Sequence, residues 1–369
     1  MAKNVIILGA GASAGFGAPV MGNFLDKARK LYADNKITHH KECFGRVFEA
    51  ISKLQVVHSK SELNLNNLES VFTSFELAKT LNRFPGVEPE KITDLIDDLK
   101  WVIVSTLYET VKFPTKGRYI VGQEVICNFI KSIITKRNLQ GQPDTAILTF
   151  NYDLVMDMAI LGSGVGVDYG ISKQENCGEW LPLLKLHGSI NWTTNTNTME
   201  VFPWFLSKYF NKYSLGPERE IYPVKEALVP ICYQFGEYAK TYSESVVLDN
   251  TPVIVPPSWN KMDSYKSIAK VWARAAKELS EASSIYIVGY SLPETDTFFR
   301  QLYALGSVGD TLLERFWVFN PDSSRNQVFL SMLGSGARER FKFFEVDFNK
   351  AIQIIEDGLN DRIPRNVLI

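Results

Sequence analysis

The stretch Asn4–Leu25, NVIILGAGASAGFGAPVMGNFL, decides the fold of this chain. Val5–Leu8 is a short, continuous apolar run, which is typical of a parallel strand that is buried on both faces. The run leads into Gly9–Ala14, GAGASA, which fits the spacing G-x-G-x-x-A. This pattern predicts a strand, a tight turn and a helix in direct succession.

The small residues of this turn each have a physical reason. Gly9 permits the tight turn, Gly11 lets the backbone approach a pyrophosphate, and Ala14 allows the helix to pack closely. The N-terminus of the helix presents N–H groups to an anion. We therefore expect a nucleotide here, although strand–turn–helix units without a ligand are also common. The expected contact residues in the turn are Gly9, Ala10, Gly11, Ala12 and Ser13.

The chain then departs from an ordinary dinucleotide-binding unit, in which an acid about 20 residues further on ends a second strand. Asp34 lies at about that distance, but its surroundings, YADNKITHH, do not resemble a strand end. Residues 22–140 instead predict a helical insertion, because apolar side chains repeat at i, i+3, i+4 and i+7 from Leu68, Ile92 and Ile126. We expect these stripes to form the core of a helical subdomain; a partner groove or a cofactor site is the alternative.

Strand and helix patterns alternate again from residue 145. Residues 263–283 predict a long helix, and strands are predicted in TAILTF (145–150), LPLLKLHGSINW (181–192), TPVIVPPSW (251–259), SSIYIVGYSL (283–292), RFWVFNPD (315–322) and FKFFEVDF (341–348). The alternation predicts an α/β fold with a Rossmann-like, mostly parallel sheet and helices on both faces. Ligands bind beyond the carboxyl ends of the strands in such sheets. The polar residues at these ends are Ser13, Asn151, Asp153, His187, Ser291, Asn320 and Asp322.

A second interruption of the sheet is predicted at residues 192–250, which are rich in aromatic residues. We expect a small module packed on its own aromatic core, with a protein-binding surface as the alternative. The predicted organisation is therefore a nucleotide-binding domain of residues 1–21 and 141–369, the helical insertion 22–140, and this aromatic-rich insertion inside the domain.

Composition excludes several classes of function. The formal net charge is −1 with acids and bases well mixed, which argues against a broad nucleic-acid surface. No apolar run approaches the roughly 20 residues that span a bilayer. The N-terminus does not look like a signal peptide, so we expect a cytoplasmic protein.

The cysteines are Cys43, Cys127, Cys177 and Cys232, with no CxxC pair, so we expect no metal. His39 and His40 do not share a helix face, and we expect a solvated loop there.

Five short motifs at the predicted strand ends now carry a resemblance. They are GAGAS (9–13), TFNYD (149–153), KLHGS (185–189), GYSLPETD (289–296) and FNPD (319–322). In this order they resemble the sirtuin superfamily, most of all its bacterial branch found in antiphage defence. The resemblance covers about residues 1–20 and 145–369 and leaves the helical insertion out.

The resemblance implies a role for particular residues. The phosphate loop falls on Gly9, Gly11 and Ser13, and the T-x-N-x-D motif on Asn151 and Asp153. The histidine before Gly-Ser is His187. The strand end that meets the nucleotide falls on Gly289 and Ser291, and Asn320 matches an asparagine on the adenosine side.

The departures from the family concern the acyl-peptide. Protein deacylases of this family carry a zinc module with two CxxC pairs and a P-D-F-R signature after the first helix. This chain has no CxxC pair, and Pro19 is followed by Val-Met-Gly-Asn-Phe. The nucleotide pocket is therefore expected to be complete and the acyl-lysine apparatus to be absent.

The residue types suit cleavage of the nicotinamide–ribose bond of NAD, which passes through an oxocarbenium-like state. The amide of Asn151 is a candidate for orienting an attacking water, and His187 for holding a ribose hydroxyl and acting as base. Asp153 is a candidate for bracing the nicotinamide carboxamide or the loop. The alternatives are a turn residue at Asn151, a structural histidine at His187 and a helix N-cap at Asp153.

The predicted function is a sirtuin-like NAD hydrolase that gives ADP-ribose and nicotinamide. Since NAD is shared by all metabolism, we expect the activity to be latent and triggered by phage infection. The resemblance implies a regulatory partner encoded nearby, such as a HerA-type ATPase or an Argonaute, and we expect the amphipathic helices to support a homo-oligomer. A zinc-independent deacylase or ADP-ribosyltransferase, and a non-catalytic NAD-binding scaffold, are the alternatives.

Overall fold

The structure is a computed structural model that describes residues 3–55, 63–116, 119–120, 124–138, 141, 143–173, 178–206, 221–223, 247–255, 262–293, 297–306, 308–309 and 311–360. The described strands are β1 Asn4–Leu8, β2 Lys112–Lys116, β3 Tyr119–Ile120, β4 Thr145–Thr149, β5 Gly166–Asp168, β6 Trp180–Lys185, β7 Trp192–Thr194, β8 Val201–Pro203, β9 Ile221–Pro223, β10 Ser284–Val288, β11 Arg315–Phe319 and β12 Phe341–Phe344. The described helices are α1 Gly11–Ala14, α2 Phe24–Ala33, α3 Lys41–Gln55, α4 Leu68–Leu81, α5 Ile92–Thr110, α6 Glu124–Ile134, α7 Val155–Gly162, α8 Met262–Glu281, α9 Thr297–Gly306, α10 Arg325–Met332, α11 Ser335–Arg338 and α12 Phe348–Leu359.

Seven strands form one parallel sheet in the order β12-β11-β10-β1-β4-β6-β5. The chain runs outward from β1 to β4 and later crosses back to β10 on the other side of β1. The point where the direction reverses, between β1 and β10, is where doubly wound sheets open a crevice for ligands. The prediction of a Rossmann-like parallel sheet with helices on both faces is confirmed.

The turns after β1 and β10 touch each other through their backbones. Gly9 N–H donates to Val288 O at 3.0 Å, and Gly11 N–H donates to Gly289 O at 2.9 Å. A Cβ on Gly9 would lie 2.5 Å from Tyr290 Cα, and one on Gly289 would lie 2.4 Å from Ala12 N. Gly289 also has a φ of +63°, which L side chains rarely adopt. Glycine is therefore required at these positions for a second reason, which is that only residues without a side chain let the two turns pack this closely.

Helices α2, α3, α4 and α5 pack on one another within residues 22–110. The stripes that the sequence predicted as core are buried; Phe72, Phe75, Leu99 and Ile130 are at most 1% exposed. Helix α6 packs instead against α7 and α12, so it joins the helices of the sheet domain. The insertion as bounded at residue 140 therefore includes one helix that packs away from the others.

One predicted strand is wrong. The described part of TPVIVPPSW, residues 251–255, takes no place in the parallel sheet. It lies along the loop after β6, where Ser189 N–H donates to Val253 O and Val255 N–H donates to His187 O, both at 2.9 Å. Its apolar side chains are buried because they cover this loop. A short apolar run of this kind has the same sequence pattern as a buried strand in the middle of a sheet, which is why a strand was predicted here.

Short antiparallel pairings connect the two predicted insertions. Strand β9, inside residues 192–250, pairs with β2 near the end of the helical insertion, and β2 also pairs with β3. Strands β7 and β8 form a separate pair. Trp192 and Trp204 are fully buried, but most of residues 207–246 lie outside the described part of the chain.

His40 is not in a solvated loop. Its ring stacks on Trp101 of α5, with centroids 3.9 Å apart and planes 10° from parallel, and its side chain is half-buried. His39 is exposed. Among the described residues, no helix is both long enough and apolar enough to cross a membrane.

The contact between the two turns predicts a steep penalty for a side chain at Gly289. We expect Gly289→Ala to lower the free energy of unfolding by roughly 2–4 kcal/mol, because the new Cβ combines an unfavourable φ with backbone overlap. Chemical denaturation measures this loss. Gly15→Ala is the matched control, since its Cβ would meet nothing within 4 Å, and we expect a change within about 0.5 kcal/mol. Equal stability of the two variants would contradict the constraint.

Candidate functional site

Asn151 links the end of β4 to the glycine turn after β1. Its Nδ2 donates to Gly9 O and to Ser13 Oγ, both at 3.0 Å. Its own N–H donates to Thr149 Oγ1 at 3.1 Å, and that hydroxyl donates to Leu8 O at 3.2 Å. Both amide hydrogens of the side chain are therefore used within the chain, and any role toward a water falls to Oδ1, which can only accept.

Ser13 connects Asn151 to Asp153. The Ser13 hydroxyl accepts from Asn151 and hydrogen-bonds to the Asp153 carboxylate. The carboxylate also accepts from Val155 N at 2.9 Å, at the start of α7, so Asp153 does act on this helix. Burial raises the pKa of the Asp153 carboxyl, and the nearby Lys185 and the hydrogen bonds from Val155 and Ser13 oppose that rise.

A buried ion pair lies directly beneath these residues. Lys185 Nζ donates to Asp157 Oδ2 at 2.8 Å and to the backbone oxygen of Asp153 at 2.7 Å, and both side chains are 1% exposed. Tyr169 OH donates to Asp157, and Asn191 Nδ2 donates to Tyr169 OH at 3.1 Å and to Trp204 O at 2.8 Å. A continuous polar chain thus runs from the end of β4 to the aromatic-rich segment.

This ion pair was not among the residues predicted from the sequence. A signal for it was present, because Lys185 interrupts the apolar run LPLLKL and Asp157 interrupts VMDMAIL. Charges inside such runs are buried and need a partner. Which charge pairs with which depends on the neighbouring positions of β6 and α7, which the sequence does not show.

His187 lies in an aromatic cluster instead of the polar network. Its ring centroid is 5.1 Å from Phe150 and 6.1 Å from Tyr152, and Phe150 stacks on Tyr290 at 4.4 Å. The residue is 4% exposed. The cluster joins the carboxyl ends of β4, β6 and β10, so His187 lies at the predicted edge of the sheet. Its side chain is largely shielded from solvent, and a ligand could reach it only to a limited extent.

The loop that carries His187 is held from several sides. Trp272 Nε1 of α8 donates to Leu186 O at 2.8 Å, and Tyr152 OH donates to Val255 O at 3.1 Å. Gly188 has a φ of +81°, and a Cβ there would lie 2.1 Å from Val253 O. Residues 251–255, which were wrongly predicted as a strand of the sheet, therefore hold the backbone around His187 in place.

The β10 side of the edge is built differently. Gly289 lies in the turn contact, and Ser291 is exposed. Asn320 is buried; its Nδ2 donates to Tyr290 O at 3.1 Å and its Oδ1 accepts from Asp322 N at 2.9 Å. In this structure the Asn320 side chain supports the β10 turn. The Glu294–Asp296 part of the GYSLPETD motif lies outside the described residues.

A small cavity of about 10 Å³ brings part of the predicted set together. Such a volume holds about one water molecule. Its wall includes Ala12, Ser13, Asn151 and Asp153 together with Lys185. The other predicted site residues are not part of this wall; they are Gly9, Ala10, Gly11, His187, Gly289, Ser291 and Asn320.

The N–H groups expected to face an anion are engaged inside the chain. Gly11 N–H donates to Gly289 O, Ala12 N–H to Gly9 O at 3.0 Å, and Ser13 N–H to Ala10 O at 3.1 Å. Helix α1 is also only four residues long. Any anion at this turn would therefore share donors that already have partners.

Solved structures similar to this chain include Sir2 homologues, which belong to the superfamily that the motifs resemble. One is a Sir2 homologue in complex with NAD, at 11% identity and a TM-score of 0.41, covering 97% of this chain and 90% of that chain. A mutant of Sir2 homologues in complex with 2′-O-acetyl ADP ribose has 12% identity and a TM-score of 0.37, with 99% and 94% covered. A Sir2 complex with a p53 peptide and NAD⁺ has 11% identity and a TM-score of 0.37, with 97% and 93% covered.

At such identities and TM-scores the likeness by itself says nothing about what this chain binds or does. No protein-family model matches the chain, and no curated protein matches it either.

The buried ion pair predicts a large difference between two lysine substitutions. We expect Lys185→Met to cost about 3–5 kcal/mol in the free energy of unfolding, because Asp157 is left buried without its cation. The control is Lys270→Met, which breaks an exposed 2.7 Å pair with Glu200 and should cost no more than about 1 kcal/mol. Urea denaturation gives both values. A small loss for Lys185→Met would show that Asp157 does not depend on it.

The raised pKa of Asp153 predicts how stability depends on pH. The folded carboxyl holds its proton more tightly than the unfolded one, so its contribution to stability is present below about pH 4 and is lost as the pH rises through the folded pKa. Asn cannot ionise and keeps an oxygen for Val155 N–H. We therefore expect Asp153→Asn to gain stability over the wild type as the pH rises from about 4 to about 8.

Denaturation at several pH values measures this gain. A stability difference that is constant over the range, or that shifts in favour of the wild type at high pH, would contradict a raised pKa at Asp153.

Proposed function

We propose that this chain hydrolyses NAD at the nicotinamide–ribose bond and releases ADP-ribose and nicotinamide. The observation that carries the proposal is the hydrogen-bonded link from the glycine turn through Ser13 to Asn151 and Asp153, at the carboxyl ends of the neighbouring strands β1 and β4 of a parallel sheet. Doubly wound sheets bind their ligands at this place. The motif order, which resembles that of sirtuins, supports NAD as the ligand.

The donor set fits a ribose and its phosphates in chemical type. Hydroxyl, amide, carboxyl and imidazole groups at Ser13, Asn151, Asp153 and His187 all recognise hydroxyls or polar oxygens. The volume does not fit in the present conformation, since the cavity beside three of them measures about 10 Å³. The proposal therefore includes an opening of the loops at the strand ends before NAD binds.

In this proposal the chain orients NAD and one attacking water and excludes bulk water. The bond joins ribose to a cationic nicotinamide, which is a good leaving group, so the protein needs little more than positioning. Asn151 holds the attacking water through Oδ1, His187 binds a ribose hydroxyl and takes up a proton, and Asp153 keeps the loop in place. Ser13 fixes Asn151 and Asp153 relative to each other.

The contacts of residues 15–18 support latency. Phe16 O accepts from Lys112 N at 2.9 Å, and a Cβ on Gly17 would lie 2.3 Å from Thr110 O at the end of α5. Ser13 O also accepts from the N–H groups of Phe16 and Ala18. The segment after the phosphate turn is thus tied to the helical insertion. We propose that a partner, or self-association through the insertion, shifts α5 and releases this segment.

In a cell the consequence would be depletion of NAD when phage infection supplies the trigger. A regulatory protein encoded beside this chain, such as a HerA-type ATPase or an Argonaute, is the proposed source of that trigger. A homo-oligomer is the proposed assembly. Both follow from the resemblance and from the need to keep a cytoplasmic NAD hydrolase silent.

A non-catalytic NAD-binding scaffold is the second candidate. It is favoured by the use of both Asn151 amide hydrogens within the chain, because this leaves only Oδ1 to act on a water. NAD binding without nicotinamide release, in the presence of the partner, would select it. Turnover of an acyl-peptide would instead select a zinc-independent deacylase.

The hydrolase proposal predicts the effect of two substitutions. We expect Asn151→Ala and His187→Ala each to lower nicotinamide release by about 100-fold or more, because water and ribose lose their positioning groups. Their free energies of unfolding should fall by only about 1–2 kcal/mol. The matched controls are Asn64→Ala and His39→Ala, at exposed positions, which should keep full activity.

Activity is measured as nicotinamide release at equal enzyme concentration, by the lone protein and with its genomic partner or an extract of phage-infected cells. We expect slow release by the lone protein and a large rise with the trigger. Full triggered activity in either variant would refute the site, and equal rates with and without the trigger would refute latency.

A further inference from the structure

The helical insertion contains a groove of about 880 Å³ between α3 and α5. The segment with the turn Pro89–Lys91 closes one side of it. The residues that line this groove are entirely different from those around the strand-end cavity. The groove is therefore separate from the nucleotide site, and the proposed NAD chemistry assigns it no role.

Three side chains with different donor atoms meet at one wall of the groove. His40, Glu42 and Cys43 each offer one atom, and these three atoms all lie within 4.8 Å of one another. His40 Nδ1 and Glu42 Oε1 lie 3.9 Å apart. Ligand atoms around a tetrahedral zinc ion lie about 3.5 Å apart, given bond lengths of about 2.0–2.3 Å. Small side-chain rotations therefore bring the three atoms to one centre.

The local structure prepares this arrangement. His40 has a φ of +53°, and the flat stack on Trp101 fixes its ring. Glu42 and Cys43 follow in the first turn of α3, so the set comes from four consecutive residues. Cys43 is buried and defines the floor, while Glu42 is exposed and can rotate toward it.

The charges next to the cluster are compatible with a dication. Arg46 forms two 2.6 Å hydrogen bonds to Asp98, so the guanidinium charge is already balanced. Arg46 also approaches Cys43 Sγ at 3.5 Å, where it can donate to a metal-bound thiolate. With Glu42 and the Cys43 thiolate as ligands, a divalent cation brings the whole cluster to neutrality.

We propose that His40, Glu42 and Cys43 bind one divalent transition-metal ion of the zinc type, with a fourth coordination position open to the groove. Imidazole, carboxylate and thiolate are the ligands that zinc takes in proteins, and three protein ligands leave a position for water or a small ligand. The metal forms a bond to Sγ, and the thiol proton leaves to the solvent. The proposal departs from the absence of metal expected from the cysteine spacing, and it is unrelated to a module with CxxC pairs.

The test is metal binding by the intact chain. The protein is treated with EDTA, dialysed, and titrated with Zn²⁺ against a chromophoric chelator and with Co²⁺ by visible absorption. We expect one equivalent of Zn²⁺, and a thiolate-to-Co²⁺ charge-transfer band that Zn²⁺ abolishes. Cys43→Ser should remove this band, and His40→Asn and Glu42→Gln should each weaken affinity by more than about 10-fold.

The controls are Cys127→Ser, the other described free cysteine, and His39→Asn, the exposed neighbour. Both should bind like the wild type. Because Cys43 is buried, circular dichroism must show that its variant is folded; if it is not, His40→Asn and Glu42→Gln decide, since their side chains are at least partly exposed. Absence of binding to the wild type, or equal binding by the His40 and Glu42 variants, would overturn the proposal. Neither outcome depends on NAD turnover.

Discussion

The close contact of the turns after β1 and β10 is the constraint on which the rest of the structure depends. The backbones of the two turns come so close at Gly9, Gly11 and Gly289 that any side chain at these positions would overlap with the other turn. This contact holds the two strands at the point where the chain reverses direction across the sheet. Asn151 and Asn320 then build on it from either side, since one bonds to the β1 turn and the other to the β10 turn. The strand-end residues can form one site only because these turns are fixed.

Beneath this edge the sheet domain contains fully buried charge. The pair of Lys185 and Asp157 costs desolvation free energy, which is offset only because Asp153 O and Tyr169 OH complete its hydrogen bonds. Such a network tolerates little displacement, since any lost partner leaves a charge in an apolar surrounding. It therefore specifies how β4, β6 and α7 meet, and it extends this rigidity to Trp204. Because this framework is held rigidly, the opening that admits NAD has to occur in another part of the site. The proposed function assigns this movement to residues 15–18, which contact the end of α5.

The helical insertion is packed into the same apolar core as the sheet domain, and β2 pairs with β9 of the second predicted insertion. The two insertions thus lie in contact with each other, and the helical insertion contacts the segment after the phosphate turn through Thr110 and Lys112. A metal at His40, Glu42 and Cys43 would tie the start of α3 to the loop before it, beside Trp101 of α5. The two proposals concern different parts of α5, with Trp101 in its middle and Thr110 at its end, so each can fail without the other.

The sequence by itself determined the elements whose signals are local. The run Val5–Leu8, the glycine turn and the helical stripes at Leu68 and Ile92 predicted the sheet, its helices and the edge at which Ser13, Asn151 and Asp153 meet. It did not determine the place of residues 251–255, the packing of α6, the partner of Lys185 or the stack of His40 on Trp101. Only the tertiary structure decided these, because each depends on a neighbour far away in the chain. Periodicity reports that a side chain is buried, while the identity of what buries it is set by how the elements pack.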